Sequence, residues 1–314
     1  MDGFKPKVLK VTSVKKDLAK IAKEYNVSYT PTINDYTTAV DIKDFPCQLL
    51  NAVSYSLYNL LPRKSITNVR IETDDTVLMQ ENVKARLEGL ILDSKTELGP
   101  ISAELVHRFK VPNPVFLTTR DFKSKKSGHL NTADNVPICC IGPGKFITIE
   151  ADIVEDFSAN NMKVFSEYIY SFDRLDLVIT DETGKTYEEC QGVEIEMNNG
   201  TFKFSYQDNV DGKEVLNRSI KLLAKYFEEV IKEENITVSI SSIMLKMEFD
   251  GSAVLANLFK LYVYLAGDRK VFVNALATEL PHSFIMVKNI NNAEFRKLVE
   301  KAQKRLLADL NGLI

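Results

Sequence analysis

Cysteine and histidine are scarce in this sequence, with four of one and three of the other in 314 residues. None of Cys47, Cys139, Cys140 and Cys190 stands in a C-x-x-C pair, and Cys139 and Cys140 are adjacent. That spacing excludes a disulfide framework or a zinc ribbon, whose ligands come in spaced pairs, and points to a reducing, intracellular compartment. His107, His129 and His282 are far apart, and none lies at ligand spacing to another His or Cys, so no metal and no cofactor is expected. A surplus of one charge is also missing. Forty Lys and Arg stand against 43 Asp and Glu, a net charge of −3, so no global field draws the chain to nucleic acid or acidic lipid. No apolar run reaches the roughly eighteen residues of a bilayer span. The opening MDGFKPKVLKV holds no run of signal length, so neither a membrane partner nor a signal peptide is expected.

What remains is an ordinary globular composition, 45% hydrophobic and 26% charged, in a chain long enough for two modest cores or one large one. Residues 7–12 read as a strand, 14–24 as a short lysine-rich helix, and TAVDIKDF (38–45) as a second strand. Pro46 opens a helix whose Leu49, Leu50, Val53, Leu57, Leu60 and Leu61 recur at helical spacing, and Pro62 stops it. A strand from Ile66 to Ile71 and an acidic turn, Asp74–Asp75, lead to a short helix. That helix carries Arg86 and ends in Leu87, Leu90, Ile91 and Leu92. From 100 to 210 the short strands VFLTT, KFITIEADI, LDLVIT, GVEIEM and TFKFSY alternate with the turn signals GPGK, DETGK, NNG and DNVDGK, which makes a β-rich region.

Helical spacing returns at 214–233, where Leu216, Ile220, Leu223, Phe227, Val230 and Ile231 form one stripe. The strand VSISSIMLKMEF follows, with Ile243, Leu245, Met247 and Phe249 on one face. Then come the helix AVLANLFKLYVYLA and the strand pair KVFVNAL and SFIMVK. A long helix from Asn292 is striped by Phe295, Leu298, Val299, Ala302, Leu306, Leu310 and Leu313. The two flanks of the β-rich region look like one architecture used twice, although no short repeat links them by identity. Each flank ends in a long amphipathic helix, and two such stripes invite packing in one shared core.

Catalytic motifs are thin. IGPGKF (141–146) lacks the spacing of a phosphate loop and precedes a strand, so it reads as a tight turn. FDGS (249–252) resembles a fragment of a magnesium loop. Two-metal chemistry needs several converging carboxylates, and Asp250 stands alone. His282 follows Pro281 and reads as a turn. RDFKSKKSGH (120–129) is a basic loop with Phe122 as its one aromatic residue, and it reads as a solvated loop rather than a phosphate track. Lys15, Lys16, Lys20 and Lys23 read as a solvated face. From chemistry alone, Arg86 caps carbonyls or pairs with Glu81 or Glu88 on its own surface.

Several stretches together resemble one family, the assembly platform of multisubunit RNA polymerases. Its members are the bacterial alpha subunit, the archaeal D and L subunits, and the third and eleventh subunits of the nuclear enzymes. LLNAVSYSL (49–57) resembles the family's "ANALRR" helix through Asn51 and Ala52, with Ser54 and Tyr55 in place of the paired arginines. TDDTVLMQENVKARLEGLIL (73–92) resembles its "N-T-S-V-L-x-D-E-F-I-A-H-R-L-G-L-I-P-L" stretch, with Glu81, Arg86, Leu87, Gly89 and Leu90 among the matches; Glu88 is extra and the proline is missing. TTRDFKS (118–124) resembles its "V-x-S-x-D-L-K-S" strand. VLANLFK (254–260) resembles the smaller partner's "T-L-G-N-L-L-R" through Leu255, Asn257 and Leu258. LPHSF (280–284) is similar to that partner's "Y-K-x-P-H-P-L".

The resemblance implies an α+β fold in which a larger and a smaller platform subunit are fused head to tail, as in large DNA viruses. The larger-type half takes 1–63 and 198–235, a β-rich insert takes 64–197, and the smaller-type half takes 236–314. Helices 47–61, 214–233, 253–266 and 292–313 share the core about a pseudo-twofold axis. The core residues are Leu50, Leu57, Leu223, Phe227, Leu255, Leu258, Phe295 and Leu306. The family's cysteine-rich metal loop is absent. The implied role is non-catalytic: nucleating the two largest catalytic subunits, alongside small subunits of the tenth or twelfth type. Nucleic acid is met only through the complex. A viral source would place the chain in host cytoplasm and in the virion. Asn51, Ala52, Arg86, Leu87, Leu90, Arg120 and Asp121 would face the second-largest subunit, and an apolar helix ending fits a surface that a partner covers. The alternatives are a nucleotide-using enzyme with its site around Gly142–Lys145 and Asp250, and a structural virion protein.

Overall fold

A computed structural model describes residues 5–25, 33–73, 78–108, 113–124, 128–130, 136–156, 164–175, 195–231, 239–241, 244–250, 253–267, 272–277, 282–288 and 290–314. The fold is mixed α+β. Strand β1 (Lys7–Lys15) is followed by helix α1 (Leu18–Glu24) and strand β2 (Asp35–Pro46). Pro46 closes β2 and serves as the N-cap of α2 (Cys47–Tyr55), because its fixed φ and missing N–H suit a helix start. The helix then widens into one π turn over Ser56–Leu60, and Ser56 Oγ donates to the Ser219 carbonyl at 2.7 Å.

An insert follows: β3 (Arg63–Thr73), α3 (Gln80–Glu88), β4 (Gly99–Val106), β5 (Val115–Thr118), β6 (Lys123–Ser124), β7 (Gly128–His129), β8 (Pro137–Ile141) and β9 (Phe146–Asp156). The chain then forms β10 (Val164–Leu175), β11 (Ile195–Gln207) and α4 (Gly212–Val230). The remainder is β12 (Ser239–Ser241), β13 (Met244–Asp250), α5 (Ala253–Ala266), β14 (Phe272–Ala277), β15 (His282–Lys288) and α6 (Asn292–Asn311).

Two sheets flank the helices. One runs β1-β2-β11-β10 and the other β12-β13-β15-β14, both antiparallel throughout. Numbered within each sheet by chain order, both read 1-2-4-3. With α1 set aside, both are built in the order strand, strand, helix, strand, strand, helix, and the insert interrupts the first copy alone. Helices α2, α4, α5 and α6 pack between the sheets in a single apolar cluster. It contains Leu50, Leu57, Leu223, Phe227, Leu255, Leu258, Phe295 and Leu306, all buried. At its centre the Phe227 and Phe259 rings lie 6.1 Å apart, and Gln303 Nε2 donates to the Phe227 carbonyl at 3.1 Å. The insert has its own sheet, β3-β9-β4-β6-β7, a two-stranded ribbon of β5 and β8, and a separate core.

At the edge of the core a fully buried tyrosine, Tyr262, meets a half-buried carboxyl, Asp309. Tyr262 Oη donates to Asp309 Oδ2 at 2.8 Å. Burial raises the Asp309 carboxyl above the usual range, and the Tyr262 hydrogen bond and nearby Arg305 only partly oppose it. The folded protein therefore holds the proton more tightly than the unfolded chain, and this stability is lost as pH rises through the folded value. Asp309→Asn keeps an acceptor for Tyr262 and removes the charge. Its melting temperature should exceed that of the native chain at neutral pH, and the gain should vanish below about pH 3.9, the ordinary aspartate value. A lower melting temperature at neutral pH would contradict this account.

Several local readings are corrected. GVEIEM and TFKFSY are not two strands joined by an NNG turn: β11 is continuous through Asn198–Gly200. The irregularity is taken up within the ladder, where Gly200 has φ +153°, Asp44 has φ +57°, and Asp44 N donates to Asn199 Oδ1 at 2.9 Å. Because β10 and β11 pair with β2, the insert closes at Asp156 rather than at 197. VSISSIMLKMEF is a hairpin of β12 and β13, and His282 opens β15 instead of sitting in a turn. The lysine-rich segment from residue 14 begins as strand, and α1 starts only at Leu18. Most of LDLVIT, together with Ile243, Cys190, Lys125, Lys126 and the joint 232–238, lies outside the described residues.

Candidate functional site

Helix α3 is short and its only strong apolar pair is Val83 and Leu87, one turn apart and both fully buried. Gly89 caps it, with its N–H on the Ala85 carbonyl at 3.0 Å, and the chain turns inward. Leu87, Leu90 and Leu92 then pack with Ile66, Leu117, Phe122, Ile138 and Ile149 in the insert core. This accounts for the apolar helix ending without any partner. It also corrects the expectation that Leu87 and Leu90 present a docking surface, since both side chains are consumed internally. Ala52 is likewise fully buried, in the four-helix core.

Arg86 follows a different course. The residue is exposed, and Nη1 donates to the Ile138 carbonyl on β8 at 3.1 Å. Neither Glu81 nor Glu88 takes it; Lys84 pairs with Glu88 at 3.7 Å. Beside it, burial and the adjacent Cys140 push the Cys139 thiol up to about 11, with Arg86 pulling the other way. Such a thiol stays protonated at neutral pH and is no nucleophile.

Strand β8 pairs with β5, Leu117 opposite Cys139 and Thr118 opposite Pro137. TTRDFKS is not one strand: it leaves β5 at Thr118, makes a 3₁₀ turn over Thr119–Asp121 that a reciprocal cap closes, and enters β6 at Lys123. Asp121 Oδ2 accepts from Thr118 N at 2.7 Å and from Thr118 Oγ1 at 2.9 Å, while Thr119 N donates to the Val136 carbonyl at 3.1 Å. Asp121 is thus occupied in holding the turn, and Arg120 is exposed on it. The structure sets Arg86, Arg120 and Asp121 about one ribbon, β5–β8. Asn51 lies elsewhere, exposed on α2, with Nδ2 3.6 Å from Cys47 Sγ.

The stretch Gly142–Lys145, named for the enzymatic alternative, is built as a turn. Gly142–Lys145 is a type II turn with Pro143 leading and Gly144 at φ +76°, and Lys145 N meets the Gly142 carbonyl at 3.3 Å. Gly144 N donates to the His107 carbonyl at 2.9 Å, so these amides face the chain's own carbonyls instead of a phosphate. Buried His107 has Nδ1 2.9 Å from the Arg108 carbonyl and Nε2 2.6 Å from that of Asn113, so both ring nitrogens are engaged by backbone. A groove of about 610 Å³ crosses the insert sheet, where Arg70, Glu150, Ser102 and Lys123 align across β3, β9, β4 and β6. Its mixed charges do not make an anion cradle. Among the described residues no His, Cys, Asp and Glu side chains are grouped to hold a metal ion, and no helix is long and apolar enough to cross a membrane.

No protein-family model matches the chain, and no curated protein is similar enough to match it. Sequence reasoning missed the polar residues where the insert meets the β1-β2-β11-β10 sheet, Asn34, Asp93, Ser94, Asp208 and Asn209. No local signal could have found the contacts across that junction, because Ser94 and Asp93 lie 114 and 116 residues from their partners.

Proposed function

We propose that this chain is a non-catalytic assembly platform of a multisubunit DNA-directed RNA polymerase, a larger and a smaller alpha-like subunit fused in one polypeptide. The observation that carries the reading is the repeated strand–strand–helix–strand–strand–helix order with the same 1-2-4-3 sheet, its four helices in one core and an insert spliced into the first copy alone. Two subunits of a dimeric platform joined end to end would have this form. Fusion makes their pairing intramolecular, at an effective concentration on the order of mM for a short linker. The two largest catalytic subunits would dock on it and bring the nucleotidyl-transfer site, with small subunits of the tenth or twelfth type alongside.

Co-expression with those two subunits, affinity capture and mass spectrometry test the reading. Arg86→Glu sharpens it. Within the chain, the substitution removes a hydrogen bond worth roughly 0.5–1.5 kcal/mol, so the melting temperature should fall only slightly. At a docking surface, disrupting a cation's pair costs about 2–5 kcal/mol of binding, on the order of 30-fold to several thousand-fold in affinity. Lys225→Glu, at an exposed position of α4, is the control. A charge at Leu87 would not serve, since it would disrupt the insert core. Undiminished capture by Arg86→Glu would remove Arg86 from the docking surface, and no capture by the native chain would end the polymerase reading.

A further inference from the structure

The insert and the platform sheet meet through two carboxylates, one from each side. Asp208, just past β11, is 9% exposed, and its Oδ1 accepts from Ser94 N at 3.2 Å and from Ser94 Oγ at 2.9 Å. Asp93, in the insert, is 4% exposed. Its Oδ2 accepts from Asn209 Nδ2 at 2.5 Å and its Oδ1 from Lys95 N at 2.9 Å. Each body therefore supplies a carboxylate for the other's donors.

Asn209 is oriented from the platform side. Its Oδ1 accepts from Asn34 Nδ2 at 2.7 Å, which turns the amide nitrogen toward Asp93. Its backbone N–H donates to Asp208 Oδ1 at 2.7 Å, and Asp208 N donates to the Asn34 carbonyl at 3.0 Å. Hydrogen bonds to ionised acceptors are short and strong, and they weaken steeply off line, so four bonded groups from two bodies permit a narrow range of relative poses. Opening the contact would leave both carboxylates to be hydrated afresh. By contrast, the Arg218–Glu155 pair across the same junction, at 3.6 Å, has both side chains about half exposed and restrains little.

We infer that Asp93, Ser94, Asp208 and Asn209 form a reciprocal clamp that holds the insert and the platform as one rigid body. Its consequence for docking, a fixed separation between the Asn51 face and the Arg86 face, rests on the platform reading; the clamp itself does not. These four are positioning residues.

Backbone residual dipolar couplings of the deuterated full chain test the clamp. Amides of α3 and β9 in the insert and of α4 and α5 in the platform should fit a single alignment tensor. Asn209→Asp is isosteric but sets a carboxylate oxygen against Asp93, so the common tensor should be lost and two required. Adding Asp93→Asn exchanges donor and acceptor: the new amide can donate to the new carboxylate, which still accepts from Asn34, and the single tensor should return. A single tensor in Asn209→Asp, or two tensors in the native chain or the double variant, would overturn the inference. Should Asn209→Asp fail to fold, Asn209→Ala deletes both side-chain bonds without juxtaposing like charges, and the same loss is expected of it. No partner enters the measurement, so failure of the clamp and failure of the polymerase reading are told apart.

Discussion

Phe227→Ala is expected to cost about 3–5 kcal/mol, the range for truncating a buried phenylalanine, which is on the order of 10 °C in melting temperature. Phe227 is fully buried on α4, in the first copy of the repeated order, and it stacks on Phe259 of α5 and is bonded through its carbonyl by Gln303 of α6, both in the second. Its loss should therefore weaken the attachment of one copy to the other. A protease site placed within 232–238 separates the two events. After cleavage the native chain should run on size exclusion as one particle, since obligate interfaces bury more than roughly 2,000 Å². The cleaved Phe227→Ala chain should partly dissociate. Two folded, separate fragments from the native chain would contradict the shared core.

Gly212→Ala should be nearly as damaging, by about 1–3 kcal/mol or somewhat more. Gly212 opens α4 where the helix comes down on β1 and β2. A Cβ there would lie 2.8 Å from Thr38 Cβ and would collide with the hydroxyls of Thr38 and Ser13, which are bonded to each other at 2.7 Å. Thr38 is fully buried and its Cβ is tied to the strand, so the neighbour cannot swing aside. The cap itself, Asp211 accepting from Lys213 N at 3.0 Å, is untouched. Denaturant unfolding should show a lowered midpoint with little change in slope, and Thr38→Ala in the same chain should recover part of the loss. An unchanged midpoint would mean that the helix can lift off the sheet at no cost.

The α4 and α6 stripes were legible because one period of apolar residues describes one buried face. Asn291 and Glu294 close a reciprocal cap at the start of α6, a signal contained within four residues. The NNG segment misled because glycine and asparagine serve a bulge as well as a turn, and only the ladder to β2 tells which. Leu87 and Leu90 misled for a related reason. An apolar helix ending shows that something covers it, and does not say whether that is a partner or the chain's own β3, β5 and β8.

By itself, then, the sequence determined the principal helices with their stripes and the strand-rich stretch between them, since each is written in short-range spacing. Tertiary structure alone decided that β10 and β11 belong with β2, that the apolar end of α3 is consumed within the insert, and that Ser94 is joined to Asp208 and Asp93 to Asn209 across 114 and 116 residues of chain. Periodicity states that a face is buried, whereas what it meets is settled only when distant segments compete for the same surface and the best-packed, fully hydrogen-bonded arrangement prevails.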